Sequence, residues 1–158
     1  PDVHSTLRRF GVQRLRPWLA TALQDGGFKE PTPVQAAAMP LIARHEDVVI
    51  HAETGSGKTL AFLVPILSRL EPSTPLQLLL LVPSRELAVQ TAAQVDRLLR
   101  PESPLKMSLI VGGLSASDRA AEHALEAQRQ LGRQVSARQA EIVVATPKAL
   151  QRVLRLGE

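Results

Sequence analysis

Eight consecutive residues, Ala52-Glu53-Thr54-Gly55-Ser56-Gly57-Lys58-Thr59, carry the clearest chemistry in the chain. Gly55 and Gly57 let the backbone curl with its N–H groups pointing inward, a concavity that attracts oxyanions. Lys58 would then reach the β/γ-phosphates of a bound polyphosphate and Thr59 a Mg²⁺, which makes them the candidate catalytic residues and Thr59 the candidate metal ligand. The generic phosphate-loop pattern places glycine first, where this chain has Ala52. Such a turn could be a plain strand–helix loop, but its flanks argue for a cradle. Val48-Val49-Ile50 predicts a strand before it, and Leu60-Ala61-Phe62-Leu63-Val64 a helix after it whose N-terminus faces the same point.

A second constellation lies upstream, in Phe28-Lys29-Glu30-Pro31-Thr32-Pro33-Val34-Gln35. Its prolines fix the direction of the chain before a helix over about Val34 to Ala43. The Gln35 amide can present one donor and one acceptor to a purine edge, and Phe28 could stack on its face. Taken alone this signal is weak, because most Gln residues are surface residues and most Phe residues are core.

The elements that must position these groups follow from hydrophobic patterning. Pro17 suits the first turn of a helix through Trp18, Leu19, Ala22 and Leu23, ended by Gly26-Gly27. After the phosphate loop a helix runs to about Leu70. Leu76 to Val82 is a near-continuous apolar strand, as in a parallel sheet covered on both faces. Ser84 can cap the helix that follows, with Leu87, Val95, Leu98 and Leu99 on its apolar side. Met107 to Val111 and Ala140 to Ala145 are further strands. Gly112-Gly113 follows the first of these, ahead of a helical pattern from Ser115 to about Gln130, and Gly132 to Arg138 reads as a loop or helix break. Thr146-Pro147 follows the last strand, with Thr146 as N-cap and a helix over Lys148 to about Leu156. Strands alternating with helices predict an α/β fold with a parallel sheet and helices on both faces. Ligands bind at the carboxyl ends of such strands, where the phosphate loop, Ser84-Arg85, Gly112-Gly113 and Thr146-Pro147 would share one edge.

Composition narrows the classes. The chain has 158 residues, 44% hydrophobic, with mean hydropathy near zero and no Cys, so disulfides and thiolate metal sites are excluded. His4, His45, His51 and His123 have no ligand-like spacing. The longest apolar run is too short to span a bilayer, so no membrane role is indicated. A net charge of +4, carried mostly by Arg, suits phosphate partners, though a solvated basic face reads the same way.

In order and spacing, these segments resemble the N-terminal RecA-like, P-loop NTPase domain of DEAD-box RNA helicases, over essentially all of residues 1–158. Residues 27–35 look like the Q motif, with residues 1–35 as its segment and Phe10 as the upstream aromatic. Residues 52–59 look like motif I, in which the family itself has Ala first. Pro83 to Gln90 resembles motif Ia, Gly112-Gly113 the GG motif, and Thr146-Pro147 the start of motif Ib. The resemblance implies that Gln35 reads adenine, that Phe28 stacks on it and that residues 52–59 hold the phosphates of ATP with Mg²⁺. It further implies that Pro83, Ser84, Arg85, Gly112, Gly113, Thr146, Pro147 and Lys148 hold the sugar-phosphate backbone of single-stranded or structured RNA. Partners so implied are RNA and a second RecA-like domain of the same chain, in an intracellular monomer whose compartment the sequence does not identify, the cytoplasm or nucleus being expected ahead of an organelle.

Three departures stand out. The family continues Thr-Pro with Gly-Arg, whereas this chain has Lys148-Ala149. Gln128 to Gln139 reads as an insertion. Beginning at Pro1 without Met and ending at Glu158 before the Asp-Glu-Ala-Asp motif, the chain is expected to be an incomplete domain of a longer protein. The leading expectation is the ATP- and RNA-binding half of an ATP-dependent RNA helicase that does not turn over ATP by itself. A non-catalytic nucleotide- or RNA-binding scaffold is the alternative, and a DNA-directed or unrelated P-loop ATPase a third.

Overall fold

The computed structural model describes residues 2–99, 102–112 and 137–156. The chain forms two compact units, one of Pro1–Leu70 with Leu98–Ser103 and the other of Glu71–Arg97 with Pro104–Glu158. The helix expected over 115–130, the break at 132–136 and most of the insertion lie outside the described residues.

The first unit is helical. Helix α1 (Val3–Arg8) is capped by Asp2, whose carboxylate accepts from the Ser5 N–H at 2.8 Å. Helix α2 (Pro17–Asp25) opens on its proline, which forfeits an N–H that has no intrahelical acceptor anyway. It ends where Gly27 takes φ +77° and Phe28 N–H returns to Leu23 O. Helix α3 (Pro33–Ala43) starts after Thr32, and helix α4 (Lys58–Leu67) starts after Gly57. These two helices pack on each other through Ala38, Ile42 and Ala61, with Val48, Ile50, Phe62 and Ile66 against that cluster.

Val48-Val49-Ile50, expected as a strand, has no ladder partner among the described residues and is not one. It keeps the alternation of a strand: Val48 and Ile50 pack inward while Val49 is 96% exposed. A strand is made by its neighbour, and apolar periodicity does not supply one.

The second unit holds a three-stranded parallel sheet of β1 (Leu78–Leu81), β2 (Met107–Ile110) and β3 (Ile142–Ala145), in the order β1-β3-β2. Leu78 and Met107 both pair with Ile142, and Leu81 and Ile110 with Ala145, so the three strands end level. Each of the four β3 residues is buried, as a central parallel strand requires. Helix α5 (Arg85–Leu99) follows β1, and helix α6 (Pro147–Leu156) follows β3. Leu150 of α6 packs on Ala140, Val143 and Ala145.

Candidate functional site

The phosphate loop lies in the first unit, bound to the turn before α3. Gly55 and Gly57 adopt φ +80° and +94°, the left-handed region that glycine enters without cost. Gly57 is the N-cap of α4, so no side chain satisfies the first N–H groups of that helix, and they remain free to meet an anion. Ser56 Oγ is buried without a hydrogen-bond partner. An orphaned hydroxyl, a glycine-built curl and an uncapped helix start together fit a polyphosphate, and Thr59 stands in the first turn of α4. Among the described residues no group of three or more His, Asp or Glu could hold a metal by itself.

Lys58 folds back over the loop. Its ammonium donates to Ala52 O at 2.6 Å and also to Glu53 O. An arriving phosphate must therefore offer Lys58 better acceptors than these two carbonyls, and charged phosphate oxygens do so.

Gln35 is 3% exposed and its amide is engaged with backbone at both ends. Oε1 accepts from Thr32 N–H at 3.0 Å, and Nε2 donates to Gly57 O at 3.1 Å. One N–H and one lone pair remain, the pair of functions that an adenine edge needs. Thr32 adds a bond that the sequence reading missed: its hydroxyl donates to Ser56 O at 2.9 Å. The signal was there in Thr32-Pro33-Val34-Gln35, a capping-box spacing in which the threonine is as informative as the glutamine. A methyl on Gly57 would stand 2.4 Å from Gln35 Nε2 and 3.3 Å from Thr32 Oγ1, so the glycine is required by this contact as well as by its φ. Phe28 is half-buried just after α2.

The other candidates belong to the second unit. Pro83, Ser84 and Arg85 follow β1, Gly112 follows β2, and Thr146, Pro147 and Lys148 follow β3, so all stand at the carboxyl edge of one parallel sheet. Gly113 lies outside the described residues. Ser84 caps α5 as expected, accepting from Leu87 N–H at 3.2 Å. Thr146 N–H bonds Ile110 O, and its carbonyl accepts from Leu150 N–H at the start of α6.

A profile of the family described as DEAD/DEAH box helicase matches residues 32–158, from Thr32 through both units. The chain belongs to the DEAD/DEAH box helicase family. It is similar to the protein named DEAD-box ATP-dependent RNA helicase 26 of Oryza sativa subsp. japonica, 35% identical over 94% of this chain and 26% of that protein. It is 43% identical, over 64% of its length, to a protein named ATP-dependent rRNA helicase SPB4 of Meyerozyma guilliermondii, of which it covers 19%. Among solved structures it resembles a DEAD box protein from Methanococcus jannaschii, with a TM-score of 0.71 at 30% identity over 94% of this chain. A hypothetical ATP-dependent RNA helicase from Sulfolobus tokodaii gives a TM-score of 0.67, also at 30% identity. This chain covers 37% of each of those two. Its fold is therefore the α/β RecA-like fold of DEAD-box proteins, and it spans about a quarter or less of the curated relatives' length.

Proposed function

We propose that this chain is the nucleotide-binding part of an ATP-dependent RNA helicase, in which ATP binding at residues 52–59 is coupled to a grip on the RNA backbone. The observation that carries the reading is the direct bonding of Thr32 and Gln35 to the carbonyls of Ser56 and Gly57. Two side chains of the segment assigned to the base thereby hold the loop assigned to the phosphates. A nucleotide that occupies both acts on one connected unit.

In this reading Gln35 reads adenine with its remaining donor and lone pair, Phe28 stacks on the base, and the N–H groups from Gly55 to Thr59 take the phosphates. Lys58 leaves Ala52 O and Glu53 O for the β/γ-phosphates, and Thr59 holds Mg²⁺, which supplies charge neutralisation on the phosphates. Pro83, Ser84, Arg85, Gly112, Gly113, Thr146, Pro147 and Lys148 hold sugar and phosphate, which gives affinity for RNA of any sequence. Hydrolysis in P-loop enzymes further needs an acid on the metal, a group that orients water and a cation on the transferring phosphoryl. Residues 1–158 supply the cradle and leave those three to other parts of the protein, among them a second RecA-like domain.

Phosphate release tests this. The 158-residue chain is expected to release no more than its Lys58→Ala variant, while the protein extended through both domains turns over and is stimulated by RNA. RNA-stimulated turnover by the short chain, lost in Lys58→Ala, contradicts the division of labour. An extended protein that binds ATP and RNA without turnover would mark the non-catalytic scaffold instead.

A further inference from the structure

Residues 8–18 of the first unit carry Arg8, Arg9, Arg14, Arg16 and Trp18, and no acid stands between Asp2 and Asp25. Arg8, Arg9 and Arg14 are exposed, and none has a carboxylate partner among the described residues. Elsewhere in the same unit the exposed Arg44 is paired with Glu46 at 2.7 Å. Arg16 is committed to the fold, since its Nη2 donates to Leu70 O at 3.2 Å. The mount beneath the three exposed arginines is fixed. Gly11 takes φ +83°, and a methyl there would stand 3.2 Å from both Pro40 Cα and Ala43 Cβ, so the turn that ends α1 is seated on α3. Phe10 and Val12 N–H both return to Leu7 O and Gly11 N–H to Arg8 O, which closes the helix end. Val12 and Leu15 are buried and hold the exposed Gln13 and Arg14 between them. Trp18 is only half-buried, whereas Leu19, Ala20, Ala22 and Leu23 of the same helix are buried.

We propose that Arg8, Arg9, Arg14 and Trp18 form a second RNA-binding surface, made of first-unit residues alone and additional to the strand-end residues of the second unit. The arginines take backbone phosphates, and the Trp18 ring stacks on a base. RNA enters as the partner from the proposed function, so the surface rests on that reading. A solvated basic face would account for the charges but has no use for an aromatic ring left half outside the core. Cations that track the backbone, together with an aromatic platform, make up the usual means of holding a single strand without reading its sequence. Reach agrees with this. Arg9 to Arg14 is at most about 18 Å of extended chain and Arg14 to Trp18 at most about 14 Å, lengths that suit the strand of about 4–16 nucleotides such surfaces hold.

Trp18 is the chain's single tryptophan, so its emission reports on this surface. The 158-residue chain is titrated with an oligouridylate and an unrelated mixed single strand across a salt series, read by Trp18 emission and by anisotropy of the labelled strand. Both strands are expected to quench Trp18 saturably. Arg8→Gln/Arg9→Gln/Arg14→Gln is expected to weaken both alike and to flatten the plot of log K against log salt by about 2.1, since each single-strand phosphate contact contributes about 0.7. The corresponding triple lysine variant keeps the wild-type slope, and both variants keep the wild-type melting temperature. Trp18→Ala, read by anisotropy, weakens binding about fivefold or more. Arg85→Ala leaves the quenching at saturation in place. Strand binding that Arg85→Ala weakens, with Trp18 emission unchanged throughout, overturns this surface and leaves the proposed function standing. Quenching that the glutamine variant retains at wild-type affinity and slope overturns it as well. Absence of RNA binding by both readouts overturns both readings. Tighter binding of polyglutamate than of either strand, with the same quenching, assigns the surface to an acidic protein and overturns the proposal.

Discussion

Gly55 and Gly57 both take positive φ in the same loop, yet their surroundings differ. A Cβ on Gly55 meets nothing within 4 Å, whereas one on Gly57 meets the amide of Gln35 at 2.4 Å. Both alanine substitutions incur the left-handed backbone cost of about 1–2 kcal/mol. Gly57→Ala must also displace Gln35 from Gly57 O, and the freed polar groups add about 1–3 kcal/mol. Denaturant unfolding of the two variants is therefore expected to show the larger loss for Gly57→Ala, and a mononucleotide titration the larger loss of affinity. Equal losses at the two positions would mean that the contact between Gln35 and the loop contributes nothing. Which side chain approaches Gly57 was not legible from the residues alone. The Gly-x-Gly spacing specifies a curl, and only the folded turn before α3 shows that Thr32 and Gln35 close on it.

Among the elements, Ile142–Ala145 is a continuous apolar run because it is the middle strand of the described sheet and buried at every residue, whereas Leu78–Leu81 has the same kind of run at the end of the described sheet with Leu79 and Leu81 about half exposed. What the runs concealed is Glu141, a carboxylate 2% exposed immediately before β3. Its Oε1 accepts from Ser73 N–H and its Oε2 from Lys106 N–H, each at 2.7 Å, so the middle strand ties down the approaches to both neighbours. Glu141→Gln turns one acceptor into a donor facing a donor. It is expected to lower the stability of the chain by about 1–3 kcal/mol and to speed hydrogen exchange at Ser73 or Lys106. Wild-type exchange at both amides would remove Glu141 from this role. The cap of α1 makes a pH-dependent contribution. The hydrogen bond from Ser5 N–H holds the Asp2 carboxyl below its ordinary value of about 3.8, so its stabilisation is present above that pH and is lost as pH falls through the lowered value. Asp2→Asn is expected to remove that part of the acid sensitivity, read from melting temperatures between neutral and acidic pH.

In the molecule as a whole, a strand's neighbour is set by backbone distant in sequence, which hydrophobic patterning does not reach. Val48-Val49-Ile50 has the composition of a strand and alternates like one, but its pairing depends on backbone elsewhere, which no local pattern names. The order of the motifs, by contrast, was legible throughout, because each depends on a few residues at fixed offsets: glycines at positive φ, a lysine after them, a glutamine three residues past Thr32. The proposed function rests on residues 28–35 and 52–59 forming a single adenine-nucleotide site. Calorimetric titration of ATP, ADP, GTP and GDP against the wild-type chain, Gln35→Ala and Lys58→Ala tests it most directly. Adenine nucleotides should bind the wild type about tenfold or more tightly than guanine nucleotides, since guanine leaves polar groups of Gln35 unpaired. Gln35→Ala should erase that preference, and Lys58→Ala should weaken all four. Equal affinity of the wild type for adenine and guanine nucleotides would contradict the claim.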